Sequence, residues 1–213
     1  LEQSTFFGCS SLTEISIPSS VTSIGKRCFQ GCESLKHVKI PSGTKVIQSY
    51  AFSNCKSLEE LEISTTVESI GKKAFFECQK LKNLTMDPYH VELGEDVFKE
   101  CDELNTLFII TDGEIIDNDK GNEITKRMSK IVIQSPIKTI KENAFQDHSL
   151  LLQIDIPDSV TCIEKSSFKG CSLLEKMNIP PITNLEESTF HDCSNLKVMK
   201  IPRTVKIIGK SCF

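Results

Sequence analysis

Phenylalanine recurs along this 213-residue chain at a nearly constant interval. The recurring residues are Phe6, Phe29, Phe52, Phe75, Phe98, Phe145, Phe168, Phe190 and Phe213. Neighbours are 23 residues apart, except for one interval of 22 and a gap of 47 between Phe98 and Phe145. That gap is two periods plus one residue, and it places Asn122 at the missing phenylalanine position. A fixed period of this length is typical of stacked repeats, in which each unit contacts only its neighbours.

Aliphatic residues recur in step with the phenylalanines. Residues 12–18 read Leu-Thr-Glu-Ile-Ser-Ile-Pro, and most later units repeat this Leu-x-x-Ile-x-Ile segment. Its last two aliphatic residues alternate with polar ones, which predicts a short strand with one buried face. Proline lacks the N–H that a strand needs and ends the segment. One coil cannot bury its apolar face alone, so we expect like strands to stack in parallel.

The repeats therefore predict an α/β-type repeat solenoid of about nine coils, whose short parallel strands form one sheet. A second segment, residues 21–29 in an early coil, must return the chain on the opposite side. We expect this side to be mostly irregular, with short strands or 3-10 turns. The sequence does not distinguish a short strand from a tight helical turn.

The segment Ile-Pro-Ser-Ser-Val-Thr-Ser-Ile-Gly-Lys-Arg-Cys-Phe-Gln-Gly-Cys-Glu-Ser-Leu, residues 17–35, resembles the BspA-like leucine-rich repeat. The resemblance covers residues 1–213 as a single array, and residues 110–130 match least well. It implies a surface protein of the kind found in trichomonads, amoebae and oral bacteria. Because the chain begins and ends in mid-repeat, we expect it to be a fragment of a longer protein.

Seven cysteines share one column, three residues after the phenylalanines: Cys9, Cys32, Cys55, Cys78, Cys101, Cys171 and Cys193. Thr125 and His148 occupy the same column in two other coils. We interpret the column as a ladder of small buried hydrophobic side chains. Disulfides between successive coils and a metal site that includes His148 are the alternatives. Parallel side-chain vectors disfavour bridging, and a line of thiols does not offer the tetrahedron that zinc requires.

No catalytic apparatus is recognisable, and we expect neither enzymatic activity nor a cofactor. The four histidines lie in different repeat columns, whereas a nucleophile needs a base held by a third group. Residues 117–123 are only weakly similar to a calcium loop, because Asn122 and Met128 stand where glycine and glutamate are required. A formal charge of −4 with interspersed signs disfavours nucleic acid as partner, and no apolar run is long enough to span a membrane.

The exposed strand face is the expected binding surface, since residues eight and ten after each phenylalanine point away from the core. Phe108 and Val132 are apolar in a column that is otherwise polar, and they lie in adjacent coils beside the insertion. An exposed aromatic next to an aliphatic is typical of an interaction centre. The alternatives are that the loop from Thr111 to Glu123 or another chain covers them. The candidate protein-binding residues are Thr85, Thr106, Phe108, Lys130, Val132 and Asp155.

Two functions remain open. The resemblance implies an adhesion module at the cell surface that binds a host or matrix protein, with no membrane contact by this segment itself. The high thiol content instead favours an intracellular protein-interaction scaffold. In either setting, uncapped apolar ends would allow self-association.

Overall fold

The computed structural model describes residues 1–117 and 123–213. These residues form two compact units, Leu1–Leu104 and Asn105–Phe213. Asn122, at the degraded phenylalanine position, lies outside the described residues. A single continuous array over residues 1–213 remains a prediction.

The first unit consists of short strands in two sets. Their bounds are β1 Ser23–Ile24, β2 His37–Ile40, β3 Val46–Ile47, β4 Glu60–Ile63, β5 Ser69–Ile70, β6 Asn83–Met86 and β7 Glu92–Leu93. The four-residue strands pair in parallel in the order β2-β4-β6. The two-residue strands pair in parallel in the order β1-β3-β5-β7.

The second unit repeats this arrangement less regularly. Its elements are β8 Thr106–Ile109, β9 Ile115–Ile116, α1 Glu123–Lys126, β10 Lys130–Ile133, β11 Thr139–Ile140, β12 Gln153–Asp155, β13 Cys162–Ile163, β14 Lys176–Met177, β15 Asn184–Leu185 and β16 Ile207–Ile208. The strand face pairs in the order β8-β10-β12-β14. On the other side β9 pairs with β11 and β11 with β13, while β15 pairs with β16.

Strand alternation follows the predicted pattern. In β2, Val38 and Ile40 are almost completely buried, while His37 and Lys39 between them are exposed. In β10, Ile131 and Ile133 are buried in the same way. Each coil thus contributes aliphatic side chains to an interior that only the next coil can cover.

Short strands, and not helical turns, carry the first part of the return segment. Each ends at the aliphatic column five residues before the phenylalanine, for example at Ile47 in β3 and Ile140 in β11, both of which are fully buried. Turns then lead into the phenylalanine. In the part of the chain that the structure describes, α1 is the single helix, and it is four residues long.

The phenylalanines form a continuous stack within each unit. In the first unit the ring centroids of Phe29 and Phe52 are 4.8 Å apart, and those of Phe52 and Phe75 are 5.3 Å apart. In the second unit Phe145 and Phe168 stack at 5.3 Å. The rings are nearly parallel in all of these pairs. This spacing is close to that of paired strands. The same alignment of successive coils therefore sets both the hydrogen bonds between strands and the stacked column of phenylalanine rings, which we call the aromatic spine.

Left-handed residues flank the phenylalanine turns. The residue two before the ring has a positive φ in every coil with a spine phenylalanine: Ser4, Arg27, Tyr50, Lys73, Asp96, Asn143, Ser166, Ser188 and Ser211. The residue two after it is also left-handed, as at Gly31, Asn54 and Gly170. These reversals turn the chain tightly enough to point the ring inward. The predicted fold class is confirmed: the described residues form a repeat solenoid of short parallel strands with almost no helix.

Candidate functional site

Five of the six candidate residues lie on the strand face of the second unit. Thr106 and Phe108 are on β8, Lys130 and Val132 are on β10, and Asp155 ends β12. All five are partly exposed, as expected for side chains that alternate with buried aliphatic residues. The structure therefore places them on one surface.

Phe108 and Val132 are direct neighbours across the β8–β10 pair. Flanking residues Leu107, Ile109, Ile131 and Ile133 point into the core, so the two apolar side chains stand on the opposite face. Side chains paired in this way have Cβ atoms about 5 Å apart and contact each other. The result is a small apolar centre with polar side chains beside it in the same strands.

Polar side chains surround this centre. Lys130 pairs with Thr106 on one side and with Gln153 on the other, and Val132 pairs with Asp155. The Lys130 Nζ lies 3.8 Å from Asp155 Oδ2. Gln153 Nε2 donates to both Asp155 carboxylate oxygens at 3.0 and 3.1 Å. An apolar centre with a charged, hydrogen-bonded rim is the usual composition of a protein-binding surface.

Thr85 belongs to a different part of the molecule. It lies on β6 of the first unit, where its partner in the strand register is Glu62. It is partly exposed. The face around it in the first unit is charged, with Lys39 paired to Glu62 at 2.7 Å.

The irregular stretch after β8 is described only to residue 117. Thr111 is buried, and its backbone N–H donates to the Ser135 hydroxyl at 2.5 Å, which joins this stretch to the segment after β10. The chain then enters β9 on the far side of the coil. Most of the calcium-like segment 117–123 lies outside the described residues, so the structure does not address it.

The cysteine column is a hydrogen-bonded ladder. Cys55 and Cys78 are fully buried, and each thiol donates to a phenylalanine carbonyl oxygen of the preceding coil, at 3.3 Å in both cases. Burial raises the pKa of the Cys32 thiol to about 11. Cys9 is exposed and Cys193 is half-buried, so the core interpretation does not hold for the two ends of the column. The described cysteines are free thiols.

Thr125 and His148, which replace cysteine in this column, bind each other. Thr125 Oγ1 lies 2.8 Å from His148 Nε2, and His148 Nδ1 lies 3.1 Å from the Gln146 carbonyl oxygen. Since that carbonyl can only accept, Nδ1 carries the proton and Nε2 accepts from the threonine. A hydroxyl beside an imidazole resembles a nucleophile and its base. Both side chains are about 1% exposed, however, and no substrate could reach them.

Acid should destabilise the second unit through His148. Burial lowers the pKa of this imidazole below its ordinary value of 6.5. Well above pH 6.5 the histidine is neutral in both the folded and the unfolded chain, and its contribution to stability is constant. Below that pH the unfolded chain takes up a proton that the folded chain excludes. The free energy of unfolding should therefore fall, by at most about 1.4 kcal/mol per pH unit.

A His148→Cys variant, which restores the residue typical of the column, is the matched comparison. Urea unfolding of both proteins between about pH 8 and pH 5 should give curves that separate below the ordinary histidine pKa. The difference cancels titration of the carboxylates and of the other histidines. Parallel curves across that window would show that His148 is not held neutral.

Neither a metal centre nor a membrane span is evident in the described ranges 1–117 and 123–213. There, no three His, Cys, Asp or Glu side chains come together as potential metal ligands. Within the same ranges, no helix has the length and apolarity needed to cross a bilayer.

One exposed aliphatic residue was not singled out from the sequence. Val198 is 81% exposed and occupies position eight after Phe190, a column that holds Glu14 and Glu60 in other coils. It lines a groove of about 460 Å³ together with Met177 and several lysines. The sequence signal was available, because a valine among polar residues breaks the column as Phe108 does.

Several solved structures are similar to the chain at low identity. A leucine-rich repeat protein from Bacteroides ovatus is 22% identical, with a TM-score of 0.40, over 97% of this chain and 53% of that one. The leucine-rich repeat protein of T. pallidum is 23% identical, with a TM-score of 0.44, over 81% of this chain and 72% of that one. A leucine-rich cell surface protein from Faecalibacterium prausnitzii is 22% identical, with a TM-score of 0.42, over 100% of this chain and 73% of that one. The chain spans about half the length of the Bacteroides ovatus protein.

No curated protein matches the chain. The family model for the BspA type leucine-rich repeat region matches in six copies, over residues 1–120 and 123–213. Leucine-rich repeats of this kind are generally protein-interaction modules and are typically not enzymes. The resemblance inferred from residues 17–35 is thus confirmed over almost the whole sequence, and the chain belongs to the BspA-type leucine-rich repeat family.

Proposed function

We propose that the chain is the protein-binding module of a microbial cell-surface adhesin, and that its strand face binds a host or matrix protein. The observation that carries this proposal is the Phe108–Val132 pair, two apolar side chains in register on an exposed face. Lys130 and Asp155 beside it form a charged rim that would fix the orientation of a partner. Membership of the BspA-type family supports a surface location.

An intracellular scaffold that uses the same face is the second candidate. Its support is the set of free cysteines, since reduced thiols persist in the cytosol and secreted proteins tend to form disulfides. Labelling of the source cells with an antibody against this chain, before and after lysis, distinguishes a surface location from an intracellular one. Labelling of intact cells supports the adhesin, and labelling only after lysis supports the scaffold.

Replacing Phe108 with aspartate should weaken partner binding by at least about tenfold, because a central aromatic contributes roughly 2 kcal/mol or more to such an interface. The same strand position holds Glu62 and Asp155 in other coils, so the fold tolerates a carboxylate there. Binding should be measured by biolayer interferometry against immobilised extracellular-matrix proteins and host-cell membranes.

Two further variants make the result specific. Val132→Lys tests the other half of the pair and should have a similar effect. Leu150→Asp is the matched control, since Leu150 is 51% exposed in the same unit but lies in a turn outside the strand face. Equal binding by wild type and Phe108→Asp, with unchanged thermal midpoints, would refute the proposed centre. Absence of binding to every matrix and cell-surface sample would refute adhesion.

A further inference from the structure

An acceptor sequence for N-linked glycosylation lies on the strand face of the first unit. Asn83-Leu84-Thr85 has the required form, an asparagine followed two residues later by serine or threonine. The chain has nine asparagines, and Asn83 is the one that meets this requirement. Because such a tripeptide also arises by chance, its place in the fold decides whether it can carry a glycan.

Strand β6 places both functional side chains of the tripeptide on the solvent side. Leu84, between them, is fully buried, whereas Asn83 and Thr85 are partly exposed. Their register partners in β4, Glu60 and Glu62, are exposed as well. Successive side chains of a strand point to opposite faces, so all four lie on the outer one. An acceptor usually lies in a surface loop, but this face gives the same access to solvent.

The side-chain amide of Asn83 is only loosely held by the fold. Its Nδ2 lies 3.5 Å from Glu60 Oε1, at the outer limit of a hydrogen bond. Asn178 is the contrast, because its Oδ1 accepts from the Ile156 backbone N–H at 2.9 Å and its Nδ2 donates to the Ile156 carbonyl oxygen. A substituent on Asn83 Nδ2 therefore costs the folded chain little, whereas one on Asn178 would break backbone contacts.

We propose that Asn83 carries an N-linked glycan. The sugar donor is a lipid-linked oligosaccharide. Asn83 Nδ2 forms a bond to the anomeric carbon of the first sugar, the bond from that carbon to the lipid pyrophosphate breaks, and the pyrophosphate takes up the amide proton. The inference rests on the proposed function in one respect: a surface protein enters the secretory pathway, where this transfer takes place, and a cytosolic scaffold does not.

A glycan at this position restricts where a partner protein binds. It is bulky and hydrated, and it would stand directly above Glu60 and Glu62, which form ion pairs with β2. The charged strand face of the first unit would then be covered by sugar. A protein partner is left with the strand face of the second unit, which carries the Phe108–Val132 pair.

Secretion of the chain from eukaryotic cells tests the acceptor. We expect the protein in the medium to carry one N-linked glycan, seen as a loss of apparent mass after treatment with peptide N-glycosidase. Mass spectrometry should then find that the enzyme has converted Asn83 to aspartate. Asn83→Gln and Thr85→Val should each abolish the shift, and Thr85→Ser should retain it, because serine also completes the acceptor.

Glu186→Thr in the Asn83→Gln background is the matched control. It creates the same tripeptide at residues 184–186, on β15, where Asn184 is partly exposed and Leu185 is fully buried, as in β6. This variant should regain one glycan. A glycan on the control but not on the wild type, or on neither of the two secreted proteins, would overturn the proposal. A glycan that persists in Asn83→Gln itself would place the modification elsewhere and overturn it too.

The chain isolated from its source cells tests the native protein. The same enzyme and mass spectrometry should show a glycan on Asn83, and an unmodified Asn83 would contradict the proposal. The two proposals can fail separately. If intact cells are labelled and matrix proteins bind while Asn83 is unmodified, the glycan inference alone is wrong. If Asn83 carries a glycan while no matrix or cell-surface protein binds, adhesion is wrong and the modification stands.

Discussion

A Phe52→Ala variant should lose about 3–5 kcal/mol of folding free energy, the range measured for fully buried aromatic side chains. Phe52 has no exposed surface, and its ring stacks on Phe29 at 4.8 Å and on Phe75 at 5.3 Å. Removal of the ring leaves a cavity between two coils whose backbones are held in place by the strand ladder. Neighbouring rings cannot collapse into the space without breaking their own register.

Phe7→Ala is the control for this prediction. Phe7 follows a spine phenylalanine directly, but its side chain is 57% exposed. The same chemical change there should cost less than about 0.5 kcal/mol. Equilibrium urea unfolding followed by far-UV circular dichroism measures both variants. A loss below about 1 kcal/mol for Phe52→Ala would mean that the stack contributes little to stability.

Much of the fold follows from the period of the sequence. Each 23-residue unit has its phenylalanine and its aliphatic residues at the same positions. Because similar coils stack in register, these positions determine which side chains lie above one another. The alternation in Val38-Lys39-Ile40 then determines which of them point inward. Columns of this kind also predict which residues lie on the exposed face, including Phe108 and Val132.

The turns could not be predicted in the same way. Their geometry depends on left-handed backbone at positions that hold Arg27, Tyr50 and Lys73, none of which favours that conformation. Glycine, asparagine or aspartate at other such positions, as at Gly31 and Asn143, does hint at it. The backbone ladder imposes the conformation, as in Phe29 N to the Ala51 carbonyl oxygen at 2.7 Å. At Arg27, Tyr50 and Lys73 this tertiary constraint leaves no local composition signal.

Departures from the repeat were visible in the sequence, but their consequences were not. Thr125 and His148 were recognised as replacements in the cysteine column, yet their mutual hydrogen bond depends on the two coils being adjacent and both buried. Val198 broke its column as clearly as Phe108 did. It lines a groove on the strand face together with Met177, which its column alone does not reveal.

The cysteines should divide sharply into reactive and protected thiols. Under native conditions at about pH 8, iodoacetamide should modify exposed Cys162 at least about a thousandfold faster than Cys55 or Cys78. Two effects protect the ladder: reagent reaches Cys55 and Cys78 only after local unfolding, and burial raises the pKa of both thiols. Rates for each cysteine come from peptide mass spectrometry after timed quenching.

Two variants test whether protection comes from the stacked core. Cys162→Ser should remove the fast reaction at that position, and it should leave the reaction of exposed Cys9 and the slow reactions of Cys55 and Cys78 unchanged. Phe52→Ala should accelerate modification of Cys78, because the Cys78 thiol donates to the Phe52 carbonyl oxygen beside the lost ring. A buried thiol reacts only when the structure around it opens, so its modification rate reports the free energy of that opening. Where opening requires the whole unit to unfold, the free-energy loss calculated from the faster modification should equal the loss measured in urea. Modification of Cys55 within about tenfold of Cys162 would show instead that the coils separate readily and that the ladder is not a stable core.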